Sequence, residues 1–127
     1  MKGNLFAEAK FNFGWEVPLN ISLFGKEYAI IASADAYYFT DKVTSEQINS
    51  YKSFIENYNN VISKVENMLL AEAGSKEDVI ERFKPKMIKF KRNGDYGIVF
   101  DDKWDLENGL VIAISPNFEL MGTDEYF

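Results

Sequence analysis

Histidine and cysteine are both absent from the 127 residues. That removes thiolate and imidazole metal sites, disulfide scaffolds, Ser-His and Cys-His nucleophile machinery, and imidazole acid–base chemistry. Carboxylates, lysine, arginine, tyrosine and hydroxyls remain. The informative stretch is Asp95 to Asp124, DYGIVFDDKWDLENGLVIAISPNFELMGTD. At its centre lies Trp104-Asp105-Leu106-Glu107-Asn108-Gly109-Leu110, a tryptophan among acids, then Asn-Gly, then an apolar run. Two readings of Trp104, Asp105, Glu107 and Asn108, with Asp101 and Asp102 beside them, stand open. As a recognition edge, the tryptophan supplies area to bury and the carboxylates select a basic partner. As a folded turn, Asp105 accepts backbone N–H groups, Asn108-Gly109 supply positive φ, and Trp104 covers the edge of the core. A hard cation could gather Asp101, Asp102, Asp105 and Glu107, but Lys103 takes the third place of a calcium-loop spacing and breaks that pattern. Asp105 and Glu107 could form a glycosidase pair only at a separation that sequence does not set. No catalytic residue, metal site or cofactor is assigned.

The same segment resembles the C-terminal half of an uncharacterised bacterial domain family. Its members carry W-D-x-E-[HN]-G-L after a Y-G-hydrophobic-F strand, with G-x-x-D near the end. Here these are Trp104 to Leu110, Tyr96 to Phe100 with one residue more between Gly97 and Phe100, and Gly122 to Asp124 with one residue fewer. The strands around Phe24-Gly25-Lys26-Glu27-Tyr28 and the helix beginning near Glu46 are similar as well. Asn108 stands where that family most often has histidine, so the resemblance implies no ionisable group there. It implies a small stand-alone bacterial protein, of the acidic kind that looks like the immunity proteins of toxin systems.

Charge is unevenly spread along a chain of net −6. Residues 75–94 hold seven bases against three acids, and residues 95–127 hold eight carboxylates against Lys103 alone. An acidic chain repels phosphate backbones, so nucleic acid is not an expected partner. The basic run Arg82 to Arg92, with Phe83 and Phe90 interleaved, reads instead as a strand whose lysines discourage edge pairing or face the acidic return strand. No apolar run approaches the roughly 20 residues that span a bilayer. The opening residues alternate in polarity, unlike a signal peptide. No membrane association and a cytoplasmic location are the expectation.

The elements that position these groups follow from periodicity. From Leu5 to Leu23 nearly every odd position is apolar, which predicts strand with one wet face, broken at Gly14. Pro18, lacking an N–H, belongs at a sheet edge. Phe24-Gly25-Lys26-Glu27 predicts a hairpin turn, followed by a strand from Tyr28 to about Tyr37. Ala32, Ala34 and Ala36 would let another element approach closely. Thr44 with Gln47 has capping-box spacing. Ile48, Tyr51, Ile55, Tyr58, Ile62, Val65 and Leu69 then form a helical stripe, predicting one long helix over about 45–73 that ends at Gly74. Ser75 with Asp78 opens a short second helix over about 76–83, stopped by Pro85. Strands follow at 87–91, 96–100, 110–115 and 118–121, with Arg92-Asn93-Gly94-Asp95 as a turn.

Together these predict a single α+β domain over 1–127, with a mainly antiparallel sheet packed on one long amphipathic helix. The leading functional expectation is a non-enzymatic module that binds a basic protein partner. The alternative is a small-ligand or hydrolytic domain with a pocket of carboxylates and tyrosines between helix and sheet.

Overall fold

The computed structural model describes Phe6, residues 8–12 and residues 14–127. Leu5, Ala7 and Phe13 of the alternating run therefore lie outside the described residues. Within them the chain forms a short strand, β1 (Lys10–Phe11), passes Gly14 and returns as β2 (Trp15–Leu23). The pairs Lys10↔Glu16 and Phe11↔Trp15 make this a hairpin, not one extended strand. β3 (Lys26–Ala34) pairs with β2 out to Leu23↔Lys26, leaving Phe24 and Gly25 as a two-residue turn. Phe24 sits at φ 52 and Gly25 at φ 77, the twist that matches two antiparallel strands. β3 stops at Ala34, short of the expected Tyr37, and the chain runs into an exposed loop at Tyr37, Tyr38 and Phe39.

The expected single helix over 45–73 is instead two: α1 (Ser45–Glu56) and α2 (Tyr58–Ala73), separated at Asn57. The capping box at the start is present. Thr44 Oγ1 accepts from Gln47 N–H at 3.1 Å, and Thr44 N–H donates to Gln47 Oε1 at 2.9 Å. At Asn57 (φ −110, ψ 20) the backbone leaves the helix, and its side-chain Nδ2 donates to Ser53 O at 2.9 Å. Asparagine competes in this way with the helical ladder, whereas a leucine or alanine would not. The break has a geometric cause too. A straight helix of that length would run roughly 42 Å, whereas the nine residues of β2 span only about 30 Å. Gly74 at φ 94 ends α2 in the left-handed region, and Ser75 caps α3 (Lys76–Arg82) through Asp78 N–H at 3.1 Å. α3 ends one residue before the expected Phe83, because the chain enters β4 (Phe83–Phe90) with no connecting loop.

β5 (Tyr96–Asp102), β6 (Leu110–Ser115), β7 (Glu119–Met121) and a final turn of helix, α4 (Thr123–Tyr126), complete the chain. The sheet carries its seven strands in chain order. Every neighbouring pair is antiparallel except β3–β4, which is parallel because α1, α2 and α3 intervene. The basic strand β4 is thus central. Its Lys86 pairs with Asp101 of the return strand, whereas its Lys89 pairs with Asp35 beyond β3.

One face of the sheet is sealed by the helices. Phe54, Val65, Leu69, Ile88, Phe90 and Ile98 meet there, each fully buried. They fill the space where the ligand-domain reading puts its pocket, and Tyr51 lies in the same core. Ala32 and Ala34, also fully buried, let the helices approach closely. On the opposite face Val99, Val111 and Ala113 form a smaller cluster under Tyr126 of α4. Among the described residues no helix is long and apolar enough to cross a membrane.

Candidate interaction site on the β5–β6 hairpin

Inward alternation along β5 decides what each acidic residue does. Tyr96, Ile98 and Phe100 point to the helical side, and Asp102 continues their series by the strand period. Its carboxylate is therefore only 6 % exposed and meets Arg82 at the end of α3. Arg82 Nε donates to Asp102 Oδ1 at 2.9 Å and Arg82 Nη2 to Asp102 Oδ2 at 3.1 Å, a two-pronged pair. Trp104 N–H adds a third donor to Oδ1 at 3.0 Å. Burial alone would raise the Asp102 carboxyl. The Arg82 and Trp104 hydrogen bonds and the Arg82 charge outweigh it and hold the group below its ordinary value. The Asp102 hydrogen bond likewise raises the Arg82 guanidinium.

That guanidinium also lies 4.4 Å from the centre of the Trp104 ring and 4.6 Å from that of Phe83. Trp104 thus rests one face on a fixed cation and remains 71 % exposed. Leu106, two residues on, is 77 % exposed. The tip between them and β6 is internally tied. Asp105 N–H donates to Asp102 O, and Gly109 N–H to Asp105 O, both at 2.9 Å. Asn108 Nδ2 reaches both carboxylate oxygens of Asp105 at 3.2 and 3.1 Å, and Thr123 Oγ1 donates to Asn108 O. Gly109 takes φ 65, and a Cβ there would lie 2.6 Å from Phe100 O, so only glycine fits. Asn108 has no positive φ, so the turn uses that conformation once, not twice.

The expected residues therefore separate into three placements. Trp104, Asp105, Glu107 and Asn108 come together on the exposed tip. Asp101 lies within β5, opposite Lys84 of β4, and pairs with Lys86 at 3.1 Å. Asp102 faces inward and supports the tip from beneath. Lys103 pairs with Glu81, which holds that carboxyl below its ordinary value through the Lys103 hydrogen bond and charge. Asp105 and Glu107 pair with no cation among the described residues. Leu106 and Arg82 were missed by sequence reasoning. Leu106 carried a signal, an apolar side chain between two acids in a turn. Arg82 carried none, since only the register Phe83↔Asp102 brings it to the hairpin.

Among the described residues no group of three or more carboxylates is placed to hold a metal ion. No protein-family model matches this chain, and neither a curated protein nor a solved structure matches it significantly.

Proposed function

We propose that this chain is a non-enzymatic protein-binding module that engages a basic partner through the tip of the β5–β6 hairpin. The observation that carries this is Trp104 and Leu106, two large apolar side chains left 71 % and 77 % in water beside Asp105 and Glu107, which form no ion pair among the described residues. Exposed apolar side chains clustered on a braced loop are typical of contact surfaces. Tryptophan is the residue that most often dominates the energy of such contacts. Asp105 and Glu107 add selection for positive charge and speed encounter. Asp124, exposed at the start of α4 beside the Thr123–Asn108 contact, extends the same negative surface. A toxin-neutralising immunity protein is the concrete form of this reading, since such proteins use acidic surfaces to cover cationic ones. The resemblance of the Trp104 to Leu110 segment supports the same form.

The test is capture of partners from the native host by the full chain, compared with Trp104→Ala and with the double variant Asp105→Lys, Glu107→Lys. A cationic protein should be recovered by the wild type, with affinity reduced at least about tenfold in either variant and falling as salt rises. Capture that ignores both variants and salt would overturn the proposal.

A further inference from the structure

The parallel pair β3–β4 ends in a cleft of about 460 Å³, on the side of the molecule away from the helix–sheet core. Asp35, Tyr37, Lys89, Lys91, Arg92 and Phe127 line it. It is open to solvent and lined about equally by polar and apolar groups.

The frame of this cleft is fixed in advance. Asp35 N–H donates to Phe90 O at 2.8 Å, joining the two strand ends. Gln47, fully buried, donates from Nε2 to both Asp35 O and Phe90 O at 3.0 Å. Arg92 Nη1 donates to Asp35 O at 3.1 Å and to Lys42 O at 2.8 Å, and Thr44 Oγ1 donates to Arg92 O at 2.9 Å. A buried amide spent on holding two strand ends in place is the kind of support that binding sites require.

Its charge is unbalanced. Lys89 Nζ is matched by Asp35 at 2.5 Å. Among the described residues Lys91 pairs with no carboxylate and Arg92 donates only to carbonyls; Lys91 Nζ sits 4.1 Å from the centre of the Tyr126 ring. The side chains around the cleft thus sum to +2 in a chain of −6. Lys91 also lines the neighbouring cleft, where Asp95, Glu119 and Glu125 stand near it without forming an ion pair. They make the surroundings repulsive to a polyanion, so a matching anion has to be small. At the rim Tyr37 is 83 % and Phe127 65 % exposed, and Lys89 Nζ lies 4.8 Å from the centre of the Phe127 ring.

We propose that this cleft binds a small organic anion carrying a flat ring, an aryl phosphate or aryl carboxylate. Lys91 and Arg92 take the anionic group, and Tyr37 and Phe127 pack against the ring. The site is separate from the hairpin tip, so it stands or falls independently of partner binding there.

Phenyl phosphate titrated into the full chain and followed by amide NMR shifts is the test, with inorganic phosphate and phenol as separate probes. Saturable shifts are expected at Tyr37, Lys91 to Asn93 and Phe127, with a dissociation constant of about 1 mM or tighter. Inorganic phosphate should bind about tenfold more weakly, and phenol more weakly still. Lys91→Gln should weaken phenyl phosphate about tenfold. Tyr37→Ser, at an exposed position, should weaken it several-fold and leave inorganic phosphate unchanged, while Trp104→Ala changes nothing. Absence of saturable shifts up to about 10 mM, equal affinity for phosphate and phenyl phosphate, or indifference to Lys91→Gln would each overturn the assignment.

Discussion

Asp102 shows how one side chain governs both stability and the candidate surface. It lies beneath the hairpin, accepts from Arg82 and from Trp104 N–H, and so fixes the cation on which the tryptophan rests. Asp102→Asn keeps the shape and removes the charge, leaving Arg82 in a half-buried position with Glu72 as its remaining acidic neighbour, at 4.0 Å. The expected loss is about 2 to 3 kcal/mol at neutral pH, less than for a fully enclosed pair because water still reaches Arg82. The sign of the pH dependence follows from the depressed carboxyl. Its contribution is fully present above the ordinary aspartate value of 3.8 and disappears as pH falls through the lower value of the folded state. Urea unfolding of wild type and variant should therefore differ at pH 7 and converge at strongly acidic pH. A gap that persists unchanged into acid would mean that the pair is not the source of the difference. The same variant should shift Trp104 fluorescence, since the ring loses its fixed support.

Among the elements, β2 presents the clearest physical problem, because among the described residues β1 pairs with it only at Trp15 and Glu16. Beyond that point every second N–H of β2 faces outward from the sheet. Pro18 has none to expose. Ser22 N–H donates to Tyr58 Oη at 2.7 Å, and Phe24 N–H to Glu66 Oε2 at 2.6 Å, both from α2. The helix thus blunts an edge that would otherwise invite pairing with another chain. Combining Tyr58→Phe with Glu66→Ala should cost about 1 to 3 kcal/mol for the two bared groups and should raise self-association in light scattering with protein concentration. A monomeric double variant of unchanged stability would show that water satisfies this edge unaided. Much of this architecture was legible in the residues. Pro18 marked the edge, Thr44 and Gln47 marked the helix start, and Leu110 to Ser115 marked a strand that the structure reproduces residue for residue. The break at Asn57 was not legible. Gln47, Tyr51, Phe54, Val61, Ile62, Val65 and Leu69 keep one continuous phase at 100° per residue across it, and periodicity records the phase of a stripe, not the direction of its axis. The parallel β3–β4 pair and the Arg82–Asp102 contact escaped for a related reason, since both are matters of register between segments distant in sequence. α4 was too short to have a period at all.

At the scale of the molecule the sheet is covered unequally, by three helices on one side and by α4 with its single buried tyrosine on the other. A tyrosine marks each layer. Tyr96 stacks on Phe90 beneath the helices, with ring centres 5.0 Å apart. Tyr126 closes the opposite cluster. Burial pushes the Tyr96 hydroxyl up to about 12, and burial with the nearby Asp95 and Asp35 charges raises Tyr126 as well. A group whose folded value is raised stabilises the fold fully below its unfolded value of 10.0 and loses that contribution as pH climbs through the folded one. For Tyr96 the loss amounts to roughly 2 to 3 kcal/mol across the window, at about 1.4 kcal/mol for each unit. Stability measured by urea unfolding should therefore be level up to pH 10 on this account and fall steeply between pH 10 and 12. Tyr96→Phe keeps the stacked ring and removes the ionisable group, so its decline should begin at higher pH, with stability near neutrality changed by less than about 1 kcal/mol. Tyr126→Phe should act in the same direction and, combined with Tyr96→Phe, extend the level region further. An alkaline fall identical in wild type and both variants would exclude these two rings as its origin and point to Tyr28 and Tyr51, whose hydroxyls burial also raises.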